Sequence, residues 1–179
     1  MSDPITNTSK DNSTIVRVDQ QDLPALCNLL EMVAQWLATY GMHNWDGFYT
    51  TERVAHYFYE REMYCVRSRN EVIGTVTLHA ADKEPGWYSN VPAIYVNALA
   101  VSPSHHGHGI GSSLLKYAEE VALKQGYKCM RLDAVADFHW LSDFYKKRGY
   151  EVVGKVQRRF AYLQYEKKLD GAEGLGNKT

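Results

Sequence analysis

Residues 104–115, SHHGHGIGSSLL, interleave His105, His106 and His108 with Gly107, Gly109 and Gly111. Three kinds of behaviour suit that composition. Metal binding would use the imidazoles, together with His139 downstream. Zinc sites usually draw ligands from i, i+4 helix pairs or separated knuckles, whereas neighbours on a tight glycine turn splay apart, so no metal is expected. Anion binding would use the backbone instead. A strand that ends in a glycine-rich turn and starts a helix presents unpaired N–H groups at the positive end of the helix dipole. Glycines at 107, 109 and 111 let a phosphate approach those amides and permit positive φ. The spacing matches neither Gly-x-x-x-x-Gly-Lys-Ser/Thr, for want of the lysine, nor Gly-x-Gly-x-x-Gly. A plain glycine turn is the third reading, and spacing alone leaves it level with the anion site.

The elements that must hold this turn are legible on both sides. AIYVNALAV, bounded by Pro92 and Pro103, reads as a buried central strand. After the turn, Ile110, Leu114, Ala118, Val121 and Ala122 share one helix face, with Gly126 as the stop. Upstream come a short strand at TIVRV and a helix through Leu23, Leu26, Leu30, Val33, Ala34 and Leu37 that ends by Gly41. A second helix fits TTERVAHYFYERE, with Thr50 or Thr51 as N-cap. MYCVRS and EVIGTVTLHA form two strands joined by a hairpin-like Arg69–Asn70 connection. Downstream follow the strand CMRLDAV, the helix WLSDFYKKRG and a closing strand pair, YEVVGKVQ and FAYLQYEKKL. This order predicts a mixed α/β (α+β) fold.

Composition narrows the function. With 179 residues, 45% of them hydrophobic, and a net charge of -1, the chain suits one core-bearing domain. The near-neutral balance offers no field for nucleic acid or an anionic membrane. Cys27, Cys65 and Cys129 are far apart and form no C-x-x-C pair, as expected of reduced core thiols in a cytoplasmic protein. No apolar run is long enough to span a bilayer, and MSDPITNTSKDN is no secretory signal. Residues 1–12 and 170–179 are expected to be disordered around a domain at 13–169.

LAVSPSHHGHGIGSSLL resembles the acetyl-CoA-binding motif of the GNAT N-acetyltransferase superfamily: a strand, then Arg/Gln-x-x-Gly-x-Gly/Ala, then a helix. RLDAVADFHWLSDFYKKRGYEVVG is similar to that superfamily's second motif, and QWLATYGMHNW to an amino-terminal element of some members. The resemblance implies a twisted central sheet of about six to seven strands flanked by about four helices. It implies acetyl-CoA as co-substrate, no metal, and transfer of the acetyl group to a primary amine by direct attack in a ternary complex. A small amine is favoured over a protein. A non-catalytic acyl-CoA sensor on the same fold is the alternative, and monomer and homodimer both stay open.

The resemblance also distributes roles. Backbone N–H groups of His106, Gly107, His108, Gly109, Ile110 and Gly111, with the Ser112 N–H or hydroxyl, would take the pyrophosphate. A bulge near the end of the central strand would let Leu99, Ala100 and Val101 offer main-chain groups to the thioester and pantetheine. Tyr145, which beside Leu141 and Phe144 reads by itself as packing, matches the tyrosine that protonates the departing thiolate. Two positions depart from the pattern: His106 stands for the usual Arg or Gln, and Phe138 for a pantetheine-holding Asn. A histidine near the pyrophosphate would make CoA affinity rise as pH falls. For the acceptor's proton, Asn97 would order a water, with Asp133, Glu84, Asp82 and His79 as other candidates. Trp36, Tyr40, Trp45, Asp46 and Trp87 are candidates for lining the acceptor pocket.

Overall fold

The computed structural model describes residues 14–68, 71–87 and 91–169, apart from the side chain of Lys83. The expected disordered ends and the Arg69–Asn70 connection lie outside them. Among the described residues, strands β1 (Thr14–Arg17), β2 (Glu62–Ser68), β3 (Glu71–Ala80), β4 (Ile94–Val101), β5 (Cys129–Val135), β6 (Glu151–Gln157) and β7 (Ala161–Lys168) form one sheet. Its order is β1-β2-β3-β4-β5-β7-β6. Four helices accompany it: α1 (Leu23–Ala38), α2 (Thr51–Glu60), α3 (Ile110–Lys124) and α4 (His139–Lys146). The mixed α/β expectation and the predicted element order hold throughout. No described helix is long and apolar enough to cross a membrane.

By internal contacts the chain divides into two compact units. The first comprises residues up to His79 together with Val96–Ala118. In it, β1 and β2 pair antiparallel, as do β2 and β3, with a register shift between Val66 and Arg67. Leu26, Leu29, Leu30 and Val33 along α1 are buried, as are Val54, Val66, Val76, Leu114, Leu115 and Ala118. Helix α2 starts where the Thr50 side chain accepts the Arg53 N–H at 3.2 Å, an N-cap of the expected kind. Gly74 lets α3 lie close to β3: a Cβ there would sit 3.0 Å from both Ile110 Cγ2 and Leu114 Cδ1, and 3.3 Å from the Ala100 carbonyl. That close approach seats the first turn of α3.

The second unit comprises Ala80–Tyr95 and the chain from Glu119 onward. Strand β4 pairs parallel with β5 at Ile94↔Met130 and Tyr95↔Arg131, while β5 and β6 each pair antiparallel with β7. Register places Leu132 opposite Tyr165, and both are buried. Tyr145 packs its ring against Tyr150 and Tyr165, with centroids 5.9 and 5.4 Å away. Glu119 accepts from the Tyr150 hydroxyl at 3.2 Å and the Lys167 ammonium at 2.7 Å, so the polar end of Tyr150 is satisfied. All three cysteines are free thiols; Cys65 and Cys129 are buried.

Candidate active site

In the first unit, the end of β4 departs from regular strand geometry. Ala98 has φ +48°, the one non-glycine residue with positive φ among those described. A side chain in that region costs about 1–2 kcal/mol, so neighbouring structure must enforce it. On either side, Val96 and Ala100 are buried, and Ser102 N–H donates to the Ile73 carbonyl at 2.8 Å. Asn97, Leu99 and Val101 are half-buried and alternate with the buried Ala98 and Ala100. The expected irregularity is thus present at Ala98, directly before Leu99.

The chain then passes through a single turn of 3-10 helix at Pro103–His105 into the glycine loop. Gly107 and Gly109 take φ +80° and +81°, and a Cβ on either would meet nothing within 4 Å. Their backbone conformation requires glycine, and the space above them is open. The Gly109 carbonyl accepts the Ser113 N–H at 3.0 Å, which starts α3 and aims its first-turn amides toward the loop. The arrangement is a helix N-terminus preceded by two left-handed glycines, which suits an anion.

The imidazoles do not converge. His105 Nδ1 lies 2.9 Å from Ser104 Oγ, and His108 is exposed. His106 turns back: its Nε2 is 2.9 Å from the Val101 carbonyl, and its ring stands edge-on to Trp36 at 4.6 Å. A carbonyl only accepts, so Nε2 carries the hydrogen and Nδ1 is bare in the neutral ring. Of the backbone groups expected at the cofactor, the Val101 carbonyl therefore already holds His106. No group of three His, Cys, Asp or Glu among the described residues is placed to hold a metal.

Residues 39–50, between α1 and α2, bring aromatics toward β4. Tyr49 has ring contacts with Trp45 at 4.8 Å and Phe48 at 4.9 Å, and donates its hydroxyl hydrogen to Asn97 Oδ1 at 3.0 Å. His43 Nδ1 and Asp46 Oδ2 are 2.7 Å apart in the same segment. Trp36 packs against Tyr40 at 4.9 Å. Tyr49 was not among the residues singled out from sequence; 48 positions separate it from Asn97, and no local pattern links them.

In the second unit, Trp87 Nε1–H donates to Asp133 Oδ1 at 2.9 Å. Arg158 Nη2 lies 3.0 Å from Asp133 Oδ2 as an ion pair, without hydrogen-bond geometry to that buried oxygen. Arg158 also reaches the Pro85 carbonyl at 2.9 Å, and Gln164 the Gly86 carbonyl at 3.2 Å. Burial raises the Asp133 pKa, opposed by Arg158 and the Trp87 N–H, with Glu84 adding to the rise. This carboxylate serves as a clasp on residues 85–87, and Trp87, a candidate for lining the acceptor pocket, gives its N–H to it. His79 is buried, and Asp82 is exposed. Tyr145 is buried; that burial first, and Tyr165 second, hold its hydroxyl well above the ordinary tyrosine range, with Arg148 opposing. It therefore keeps its proton through neutral pH.

Residues 29–150 match the Acetyltransferase (GNAT) family. The chain belongs to this family. An uncharacterized N-acetyltransferase of Bacillus subtilis is 29% identical over 142 residues, covering 75% of this chain and 79% of that protein. An S-alkylcysteine N-acetyltransferase of the same bacterium is 36% identical over 88 residues, about half of each chain: 46% here and 47% there. Among solved structures, an aminoglycoside 6'-N-acetyltransferase complexed with coenzyme A superposes with a TM-score of 0.65 at 18% identity, covering 89% of this chain and 99% of that one. As a GNAT protein with relatives named as N-acetyltransferases, the chain is an acyltransferase.

Proposed function

We propose that this GNAT protein transfers the acetyl group of acetyl-CoA to the primary amine of a small molecule, by direct attack within a ternary complex. The observation that carries the reading is the paired positive-φ glycines, Gly107 and Gly109, opening into α3 beneath unoccupied space. The His106 N–H, expected at the pyrophosphate, already donates to the Pro103 carbonyl at 3.3 Å, so in this reading the amides of residues 107–111, with Ser112, hold the pyrophosphate. Main-chain groups of Leu99, Ala100 and Val101, beside the Ala98 irregularity, hold the thioester and pantetheine. A donor aimed at the thioester oxygen stabilises the tetrahedral oxyanion by roughly 2.7–4 kcal/mol in comparable sites. Tyr145, which stays protonated, donates to the departing thiolate.

The small-amine preference draws on the S-alkylcysteine N-acetyltransferase among the relatives, so α-amino groups of S-substituted amino acids are the first acceptors to test. A lysine-like amine has a pKa of about 10.4, and presenting it neutral at pH 7 costs about 4.6 kcal/mol. Thiol release from acetyl-CoA across a panel of amino acids, polyamines, aminoglycosides and peptide N-termini tests the proposal. Amine-dependent release with acetylated product supports it, with small amines ahead of peptides. Tight CoA binding without turnover on any amine would replace it with the sensor reading.

A further inference from the structure

We propose that Tyr49 is a positioning residue for acetyl transfer, acting through Asn97. The inference rests on the acetyl-transfer reading above and assigns polarity within it. Tyr49 is held from several directions. Its ring meets Trp45 and Phe48; Phe48 in turn lies under the Arg53 guanidinium at 4.1 Å, and its carbonyl accepts from Arg53 Nη1 at 3.0 Å. The first turn of α2 therefore fixes where the Tyr49 hydroxyl sits. That hydroxyl has one hydrogen, and it goes to Asn97 Oδ1.

The consequence is chemical. Oδ1 keeps a second lone pair, but the Tyr49 hydrogen bond fixes the amide with Oδ1 toward Tyr49 and leaves the NH2 as the end that Tyr49 does not hold. Donating from that end to a water would make the water a poorer acceptor of the amine's proton. Donating to the thioester oxygen has the right polarity. As the amine lone pair forms the C–N bond, the carbonyl electron pair moves onto oxygen. It returns as the C–S bond breaks and that pair leaves on sulfur. Of the two protons the ammonium loses, one ends on the thiol of CoA and the other in solvent. The oxyanion stage is the one the Asn97 NH2 stabilises, from a residue directly before the irregular Ala98. Tyr49 keeps that NH2 pointed by occupying the other end of the amide.

A double-mutant cycle on the acceptor found in the panel tests this. Y49F should lower kcat about tenfold, the size of one lost positioning hydrogen bond, with the KM for acetyl-CoA unchanged. In an N97A background, Y49F should cost less than twofold. N97D retains an acceptor for the Tyr49 hydroxyl but has no NH2, and should fall to the level of N97A. Equal losses from Y49F in both backgrounds, or an active N97D, would overturn the proposal. A readout independent of turnover is the side-chain amide NMR signal of Asn97 in the full-length protein. Acetyl-CoA should shift it in the wild type and much less in Y49F. No shift in the wild type would reject the role of Asn97; a clear shift without acetylation of any amine would instead fault the functional reading.

Discussion

Replacing Gly109 by alanine separates the two reasons for a glycine in the loop. At φ +81° an alanine costs roughly 1–2 kcal/mol of stability, since its Cβ crowds its own backbone. No neighbouring atom lies within 4 Å of that Cβ, so no packing cost is added. A domain with about 5–15 kcal/mol of stability remains folded. The methyl would occupy the space where a pyrophosphate oxygen must approach the α3 amides. Losing one hydrogen bond to a charged group costs about 1.5–3 kcal/mol, or roughly a 10- to 150-fold rise in the Kd for CoA. Gly126 supplies a matched control: its φ is +84°, nothing lies within 4 Å of its Cβ, and it sits just beyond the other end of α3. Both variants should show the same drop in chemical-denaturation midpoint. Titration calorimetry with CoA should then find the affinity reduced in G109A and unchanged in G126A. Wild-type affinity in both, or equal loss in both, would refute the cradle, because the backbone cost alone would then account for everything.

Gly74→Ala should destabilise the protein by about 1–3 kcal/mol and weaken CoA binding as well, because its Cβ pushes on Ile110 and Leu114 in the first two turns of α3; denaturation and calorimetry read the two effects. Tyr145→Phe should lower kcat with little change in CoA affinity, and collapse of binding would make the tyrosine a packing residue. Burial pushes the thiols of Cys65 and Cys129 up to about 11 from 9.0. A raised folded-state pKa gives stability present below pH 9 and lost as pH rises toward 11. Two pKa units correspond to about 2.7 kcal/mol per thiol at most. Urea midpoints at pH 8.5 and 10.5 should therefore diverge, and Cys65→Ala should reduce the gap.

The fold was legible because its signals are local. Helical periodicity from Leu23 to Leu37, Thr50 as a cap and Gly41 and Gly126 as stops each report on a few neighbouring residues, and the structure uses them as such. Gly74 was not legible in the same way. It reads as one small residue inside a strand pattern, and its reason is contact with Ile110 and Leu114, more than thirty positions later.

The site divides along the same physical line. Backbone features were readable, since glycines at 107 and 109 announce their own conformation. Side-chain roles were harder, because partner choice is set by distant elements. His106 stands at the Arg/Gln position of the motif, and the structure shows which atoms its side chain uses: Nε2 meets the carbonyl of Val101 and the ring meets Trp36. Asp133 was a candidate base, and its partners in the structure are the Trp87 N–H and the Arg158 guanidinium. Asn97 was expected to order a water, and its Oδ1 accepts from the Tyr49 hydroxyl, a partner invisible to any local pattern. In each case the residue type was readable from sequence and the occupied atom was not. For a reaction whose barrier is set by which atom donates to an oxyanion, the occupied atom decides the role.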